Sequence, residues 1–512
     1  MGFPVSSETP KSLPRLIVMG IKAYVPYYRR NLRVALPVML TQLGAALVGL
    51  FDSIMVGHYG TTDLAAVSFS NAIFFTVMVF AMGVLMGVTP LVGQEVGRRE
   101  KHFERIADAG VERGRDTCIP KEAEQNPEWE KVQECEERIA GLLRNGVWLT
   151  ILLSIIMGVL LGCCIPALDL FGQEPSVTKT AEPYFTLIVI SLVPFLFFCL
   201  EKQFLEGLGN TTAAMLITFG MNGLNIFLNW VFIFGHLDFE PMGAKGAGIA
   251  TLISRTIMPF VFLTVMVCKQ EWRKYLISRN RDTRIPGTAT IGELLEMGLP
   301  IGGQTLLETI AFTASFIMVG WLSKEALAAH QIANQIADMT FMVALGIGAA
   351  TTIRVSHQYG KGDMHAVKMA SHASVHLVLL MNTIGAGLMI GLRHYIPYLF
   401  TEDEAVVAIA SQLILCAGLL QYADGLQCVG AAMLRGITDV KRPMVYAFVA
   451  YILVALPIGI VCMFPLQMGA VGIWIGFIFG LATAAVLFHI RFRRLTNHYT
   501  QYDTTTACRE DD

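Results

Sequence analysis

A chain of 512 residues that is 54% apolar and 15% charged, with a formal net charge of −2 and a mean hydropathy of +0.55, lies outside the range of soluble globular proteins. The charge balance offers no basic surface for nucleic acid. The composition is that of a polytopic membrane protein.

The first 30 residues hold polar and basic groups and one short apolar piece, LIVMGIKAYV. It is too short to cross a bilayer, so no cleavable signal is expected and the piece is expected to lie along the interface as an amphipathic helix. Beyond it, twelve apolar stretches reach the length that roughly 30 Å of hydrocarbon demands of a helix. They fall at about 34–58, 68–92, 146–166, 183–205, 212–235, 246–267, 298–322, 331–353, 371–392, 407–433, 443–464 and 469–490. In lipid every backbone polar group must be satisfied internally, so the fold is predicted to be all-α.

Of the 38 Lys and Arg, the odd-numbered loops hold only Lys179, Lys245, Lys324 and Arg393, and Arg255 sits within a span. The others fall in the termini, the even-numbered loops or at their edges, which predicts that both termini are cytoplasmic. Of the ten cysteines, Cys118, Cys135 and Cys508 fall in these cytoplasmic segments, where disulfides do not persist, and no CxxC pair is present. His372 and His376 share a helix face without a further ligand at metal spacing.

The chain repeats itself. Residues 35–100 align without a gap on 298–363, pairing Leu36-Pro37 with Leu299-Pro300, Ile54-Met55-Val56-Gly57 with Ile317-Met318-Val319-Gly320, and Gly97 with Gly360. LEGLGN at 205–210 matches LRGITD at 434–439. The register drops from 263 to 229 between these blocks, so the first half carries about 34 extra residues, which lie between Gly97 and Gly146. That segment is highly charged and reads as a cytoplasmic insertion, a short helical hairpin.

Six spans per repeat give both copies the same orientation, two parallel six-helix bundles with a cleft between them, the layout of a secondary transporter. No GxxxxGK[ST] loop is present to hold ATP. The expected divisions are an N-terminal segment 1–33, a first lobe 34–267 with its insertion at about 101–143, a linker 268–297, a second lobe 298–490 and a tail 491–512.

Ionisable residues inside spans mark candidate sites, because a carboxylate at mid-membrane costs at least about 2.5 kcal/mol. Asp52 lies in span 1, Glu308 in span 7 and Asp424 in span 10, with Asp338 shallower in span 8. Asp52 aligns with Ser315 and Glu308 with Ala45, so the repeat does not impose these acids. In span 5, Asn222, Asn225 and Asn229 fall on one helical face. Amide oxygens beside a carboxylate suit a hard cation such as sodium, or hold a proton-accepting carboxylate in place. Interhelical hydrogen bonding is the structural alternative for the asparagines.

ALPVMLTQLGAALVGLFDSIMVGHYGTTDLAAV in span 1, LNIFLNWVFIFG in span 5, GAGIATLIS in span 6, LPIGGQTLLETIAFTASFIMVGWLSKEALAAHQIA with GIGAATTIRVSHQYGKGD in spans 7 and 8, and YADGLQCVGAAMLRG in span 10 together resemble the multidrug and toxic compound extrusion (MATE) family, in its bacterial NorM-like branch. The resemblance spans residues 30–495. It implies an N-lobe and a C-lobe, and export of organic cations and other amphipathic drugs by antiport with sodium or protons. It implies a bacterial inner-membrane protein working as a monomer, with no cofactor, no nucleic-acid partner and no enzymatic activity. It also implies an N-lobe cation site at Asp52, Asn225, Asn229 and Thr251 and a C-lobe site at Glu308 and Asp424, with Na+ admissible at either. Gln304, Asn222 and Asp338 are secondary polar candidates. In some members the position of Asn229 is an aspartate, so this N-lobe carries one acid. A lipid-linked oligosaccharide flippase is the main alternative and would call for several cations in the cleft. A membrane-embedded enzyme and a channel are remoter ones.

Overall fold

The computed structural model describes residues 13–108, 126–277 and 290–510. Among them there is no strand, as the backbone rule for lipid requires. Six rods form the N-lobe. They are α1 (Leu13–Tyr59), α2 (Thr61–Leu85) running on through a turn at Met86–Gly87 into α3 (Val88–Asp108), α4 (Pro127–Cys164), α5 (Pro175–Gly207), α6 (Thr211–Phe234) and α7 (Gly243–Cys268). A short α8 (Gln270–Ile277) follows. The C-lobe has α9 (Ile291–Gly320), α10 (Lys324–Lys361), α11 (Met364–Leu392), α12 (Glu404–Gly436), α13 (Lys441–Met463) and α14 (Ala470–Glu510).

Among the described residues eleven helices are long and apolar enough to cross a membrane. The twelfth crossing helix, α9, has 30 residues and reaches about 45 Å, but Gln304, Thr305, Glu308 and Thr309 lower its apolarity. The span count and the two-lobe arrangement read from the sequence are thus what the chain forms.

Two local expectations change. LIVMGIKAYV is not a separate interfacial helix, because α1 runs unbroken from Leu13 and carries Pro26 and Pro37 within it. The insertion's described flanks are not a separate hairpin either. They prolong α3 to Asp108 and begin α4 at Pro127, and the two extensions pack through Phe103, Ile106, Trp129 and Val132. Asn126 caps α4 by accepting from the Glu128 amide, with Pro127 in the first turn. Residues 109–125 of the insertion and 278–289 of the linker lie outside the described residues.

Each lobe has its own apolar core. The N-lobe core centres on Phe185, Phe204, Phe262 and Leu85. The C-lobe core centres on Tyr451, Trp474, Phe477 and Phe488. The lobes meet where α2 and α3 lie against α9 and α10, and where α1 lies against α10 and α11.

Among the described residues, most hydrogen bonds and all ion pairs between the lobes lie in the half that carries the Lys- and Arg-rich connections, with a bond from Thr305 Oγ1 to the Val79 carbonyl at 3.5 Å nearer mid-span. Asn31 donates to the Ala370 carbonyl and to Ser374 Oγ at 3.0 Å each. Tyr28 and His376 are 2.8 Å apart. Lys361 reaches Glu100 and Glu104 at 2.9 Å, and Arg138 reaches Glu293 at 3.3 Å. The lobes are bolted together at this basic end.

Candidate functional site

In the N-lobe, α1 supplies Asp52 and α6 supplies the asparagine stripe. Asn229 Nδ2 donates to Asp52 Oδ1 at 2.6 Å and contacts Asn225 Oδ1 at 3.3 Å. Asn225 is buried and Asn229 wholly so, yet Asn229 Oδ1 has no hydrogen-bond partner. One turn earlier, Asn222 Nδ2 is also buried without a partner. The stripe makes an interhelical bond to the Asp52 carboxylate and leaves one buried amide oxygen without a partner.

Thr251 and Arg255 make no direct bond to Asp52 among the described residues. Thr251 sits half-buried on α7. Arg255 does not pair with Asp52. Its Nη1 donates to Ser191 Oγ at 2.9 Å, and its guanidinium lies 5.1 Å from the Phe74 ring centre and 4.7 Å from that of Phe195. Two aromatic faces and a hydroxyl hold the cation inside the lobe.

In the C-lobe, the Tyr451 hydroxyl is the side-chain partner of Glu308, and Gln427 Nε2 donates to the same hydroxyl at 2.9 Å. Tyr451 occupies a π turn, Val449–Ala455. Pro457 follows two residues later and lacks the amide hydrogen that the Leu453 carbonyl would otherwise accept, which explains the local widening. Asp424 on α12 has one buried carboxylate oxygen without a partner, and Glu308 and Asp338 are its acidic neighbours. Gln304 is buried one turn before Glu308 on α9, and Asp338 is exposed on α10. Asp338 thus joins the C-lobe acids as an electrostatic neighbour.

Sequence reading missed four groups. Tyr451 is one, although under the 229 register it falls at the place of Asn222, which was a usable signal. Gln427 is the second. Arg435, at the end of α12, is the third, close enough to act electrostatically on Glu308. Glu201 on α5 has a buried carboxylate oxygen without a partner and lies inside the span assigned to 183–205. Its neighbour Lys202 is 3.9 Å from Glu206 and 3.5 Å from Gln42 Oε1.

Among the described residues no group of three or more His, Cys, Asp and Glu could hold a metal ion. His372 and His376 each face a tyrosine of α1. Two six-helix lobes fastened together at one end, with acids set into the helices of each, define a two-lobed membrane transporter.

The MatE family model matches residues 37–110, 133–231 and 300–461, and most of the insertion falls between the first two blocks. A probable multidrug resistance protein NorM of Mesorhizobium japonicum is 31% identical over 472 residues, covering 91% of this chain and 93% of its own. The protein of the same name in Rhizobium meliloti is 32% identical and covers 94% of this chain and 96% of its own. Among solved structures, the eukaryotic MATE transporter AtDTX14 superposes with a TM-score of 0.75 at 17% identity, covering 94% of this chain and 99% of its own. An outward-facing multidrug resistance MATE transporter of the MOP superfamily does so with a TM-score of 0.77 at 19% identity, covering 93% and 97%. The chain belongs to the MatE family of membrane transporters. It is a transporter, not an enzyme.

Proposed function

We propose that the protein expels amphipathic and cationic small molecules from a bacterial cell by antiport with sodium ions or protons, across the inner membrane, with both termini in the cytoplasm and the single chain as the working unit. The observation that carries this reading is that Asp52, Glu308 and Asp424, all set within membrane helices, make no ion pair among the described residues. A carboxylate that leaves water without a cationic partner takes up a proton or a metal cation. Such a group changes its ligand whenever the cleft changes the side from which it is reached.

A sodium ion at Asp52 would draw on amide oxygens, and Asn229 Oδ1 and Asn225 Oδ1 stand beside it. A proton would need only the carboxylate. The NorM relatives are named for multidrug resistance, which supports drug-like organic cations as cargo.

With the basic end taken as cytoplasmic, the joined seam there closes the cleft to the cytoplasm in this state. Cation bound from outside and drug bound from inside then favour opposite states, and coupling is the difference in their affinities for the two. One charge moving inward contributes about 2.3 kcal/mol per 100 mV, which sustains roughly a fiftyfold drug gradient.

The test is transport in liposomes of purified protein. Sodium is varied at fixed pH, and pH is then varied with sodium absent. Uphill movement of an organic cation under one of the two gradients is expected. Movement under neither, by protein that is folded and correctly inserted, would remove the antiport reading.

A further inference from the structure

The two lobes begin on helices of opposite charge. Under the 263 register Arg30 and Arg33 of α1 stand at the places of Glu293 and Glu296 of α9. Both acids are neutralised within the chain, Glu293 by Arg138 at 3.3 Å and Glu296 by Lys441 at 2.5 Å. Arg30, Arg33 and their neighbour Arg29 are exposed and make no ion pair among the described residues. Their counter-charge has to come from outside the chain.

A fourth arginine stands behind them. Arg354 directly follows the apolar stretch 331–353, as Arg33 directly precedes 34–58, so the two lie at the same membrane boundary. Arg354 is half-buried, with Arg30 and Tyr27 of α1 and Glu100 of α3 as its electrostatic neighbours. Glu100 is held by Lys361 at 2.9 Å, and Arg354 Nε and Nη2 are left without a hydrogen-bond partner. These two atoms form one edge of the guanidinium, a pair of parallel N–H groups that matches two phosphate oxygens. The fold does not require an arginine here, because its equivalent under the 263 register, Leu91, packs against apolar core.

Further along, α1 offers a seat for hydrocarbon. Arg29 and Arg33 lead at helical spacing into Leu36 and Leu40 on the same face, and these leucines are 54% and 40% exposed. At this depth α1 packs on α6 of its own lobe and on α10 and α11 of the other, which leaves the leucine face to the bilayer. Unpaired cations at the rim of an apolar face fit a ligand with an anionic head and hydrocarbon tails. A soluble anion would match the rim alone.

We propose that the basic end of α1, with Arg354 behind it, is a binding site for an anionic phospholipid. Arg29, Arg30 and Arg33 meet the headgroup phosphate at the surface, a turn of the Arg354 side chain lays its open edge on the same phosphate, and the acyl chains lie along Leu36 and Leu40. Since α1 belongs to the N-lobe and α10 to the C-lobe, one lipid touches both. The inference depends on the chain lying in a membrane and not on which ion or cargo it moves.

The test titrates phosphatidylglycerol, and separately phosphatidylcholine, into the purified full chain in detergent and follows bound lipid by native mass spectrometry. The parent should bind phosphatidylglycerol the more tightly; equal affinity for the two lipids would overturn the site. Arg30→Gln with Arg354→Gln should weaken phosphatidylglycerol binding roughly fivefold per arginine and leave phosphatidylcholine binding unchanged. Arg273→Gln with Arg442→Gln removes two exposed charges from the same end of the molecule and should bind both lipids like the parent. Equal losses in the two double variants would reduce the site to diffuse attraction by a basic surface.

Two further arms keep the proposal exposed. Arg354→Lys retains the charge and gives up the paired N–H edge, so it should lose affinity where plain charge attraction would not. Should the Arg354 variants fail to insert, Arg29→Gln with Arg33→Gln changes only exposed side chains of the same site and should weaken binding by a comparable factor; unchanged binding overturns the proposal. Inorganic phosphate in large excess should leave the lipid bound. Displacement by it would mark a site for a soluble anion and end the lipid reading.

Discussion

Asn229 donates its side-chain amide to the Asp52 carboxylate at 2.6 Å, across α6 and α1, while its own buried carbonyl oxygen is left without a partner. A bond to a carboxylate contributes about 1.5–3 kcal/mol, so Asn229 decides where Asp52 points. Asp52→Asn should abolish gradient-driven export in liposomes and leave the protein folded, since it removes one charge and little volume. Export at the parent's rate would exclude Asp52 from coupling.

Asn229→Ala should uncouple in a different way. The carboxylate stays but loses its orientation, so the cation concentration giving half-maximal transport should rise while the maximal rate falls less than in Asp52→Asn. Equal half-maximal concentrations in variant and parent would show that the Asn229 bond does not set the site.

On the C-lobe side, Glu308→Gln and Asp424→Asn are each expected to reduce export and to blunt the effect of cation on drug binding. Tyr451→Phe removes the hydroxyl that Glu308 and Gln427 share. It should impair coupling less than Glu308→Gln while shifting the pH dependence of transport. Drug-binding titrations that respond to sodium and pH like the parent in both acid variants would remove the C-lobe from the mechanism.

The α3–α4 extension packs through four apolar side chains and ties back through His102 and Glu128 at 2.5 Å. It lies beyond the seam and away from every deep acid. Replacing residues 107–127 with a short Gly-Ser link should therefore leave transport within about twofold of the parent, an energy difference of under 1 kcal/mol. A large loss of transport with normal membrane insertion would assign the extension a regulatory role.

Thr438 holds a left-handed backbone at φ +61° where the N-lobe equivalent is Gly209. A β-branched residue in that region costs roughly 1–2 kcal/mol, partly offset by its Oγ1 bond to the Ile437 carbonyl at 2.7 Å. Thr438→Gly should raise the midpoint of thermal unfolding in detergent. A midpoint at or below the parent's would show that the hydroxyl bond outweighs the strain.

Lipid made much of this molecule legible in one dimension. Hydropathy alone located the crossing helices, because an unsatisfied backbone or an unpaired charge in hydrocarbon is costly at each position independently of its neighbours. The same cost singled out Asp52, Glu308 and Asp424, and a constant register revealed the doubled lobe. Glu201 escaped although it lay within an assigned span, since it stands beside Lys202 near the helix end and reads as an ordinary interfacial charge.

What the tertiary structure alone decided is how each helix is turned about its own axis. Sequence spacing put Asn222, Asn225 and Asn229 on one face, but only packing showed that Asn229 is the one that holds Asp52. Tyr451 reaches Glu308 from within a π turn, and one extra residue in a turn rotates all that follows by about 100°, a shift that periodicity cannot foretell. The bonds that Gln94 donates to the Gly436 carbonyl and His357 to the Gly207 carbonyl needed both lobes in place. Their acceptors are backbone carbonyls, which every residue carries alike, so no side-chain pattern could mark them out before two helix ends and a glycine crossing brought donor and acceptor within reach.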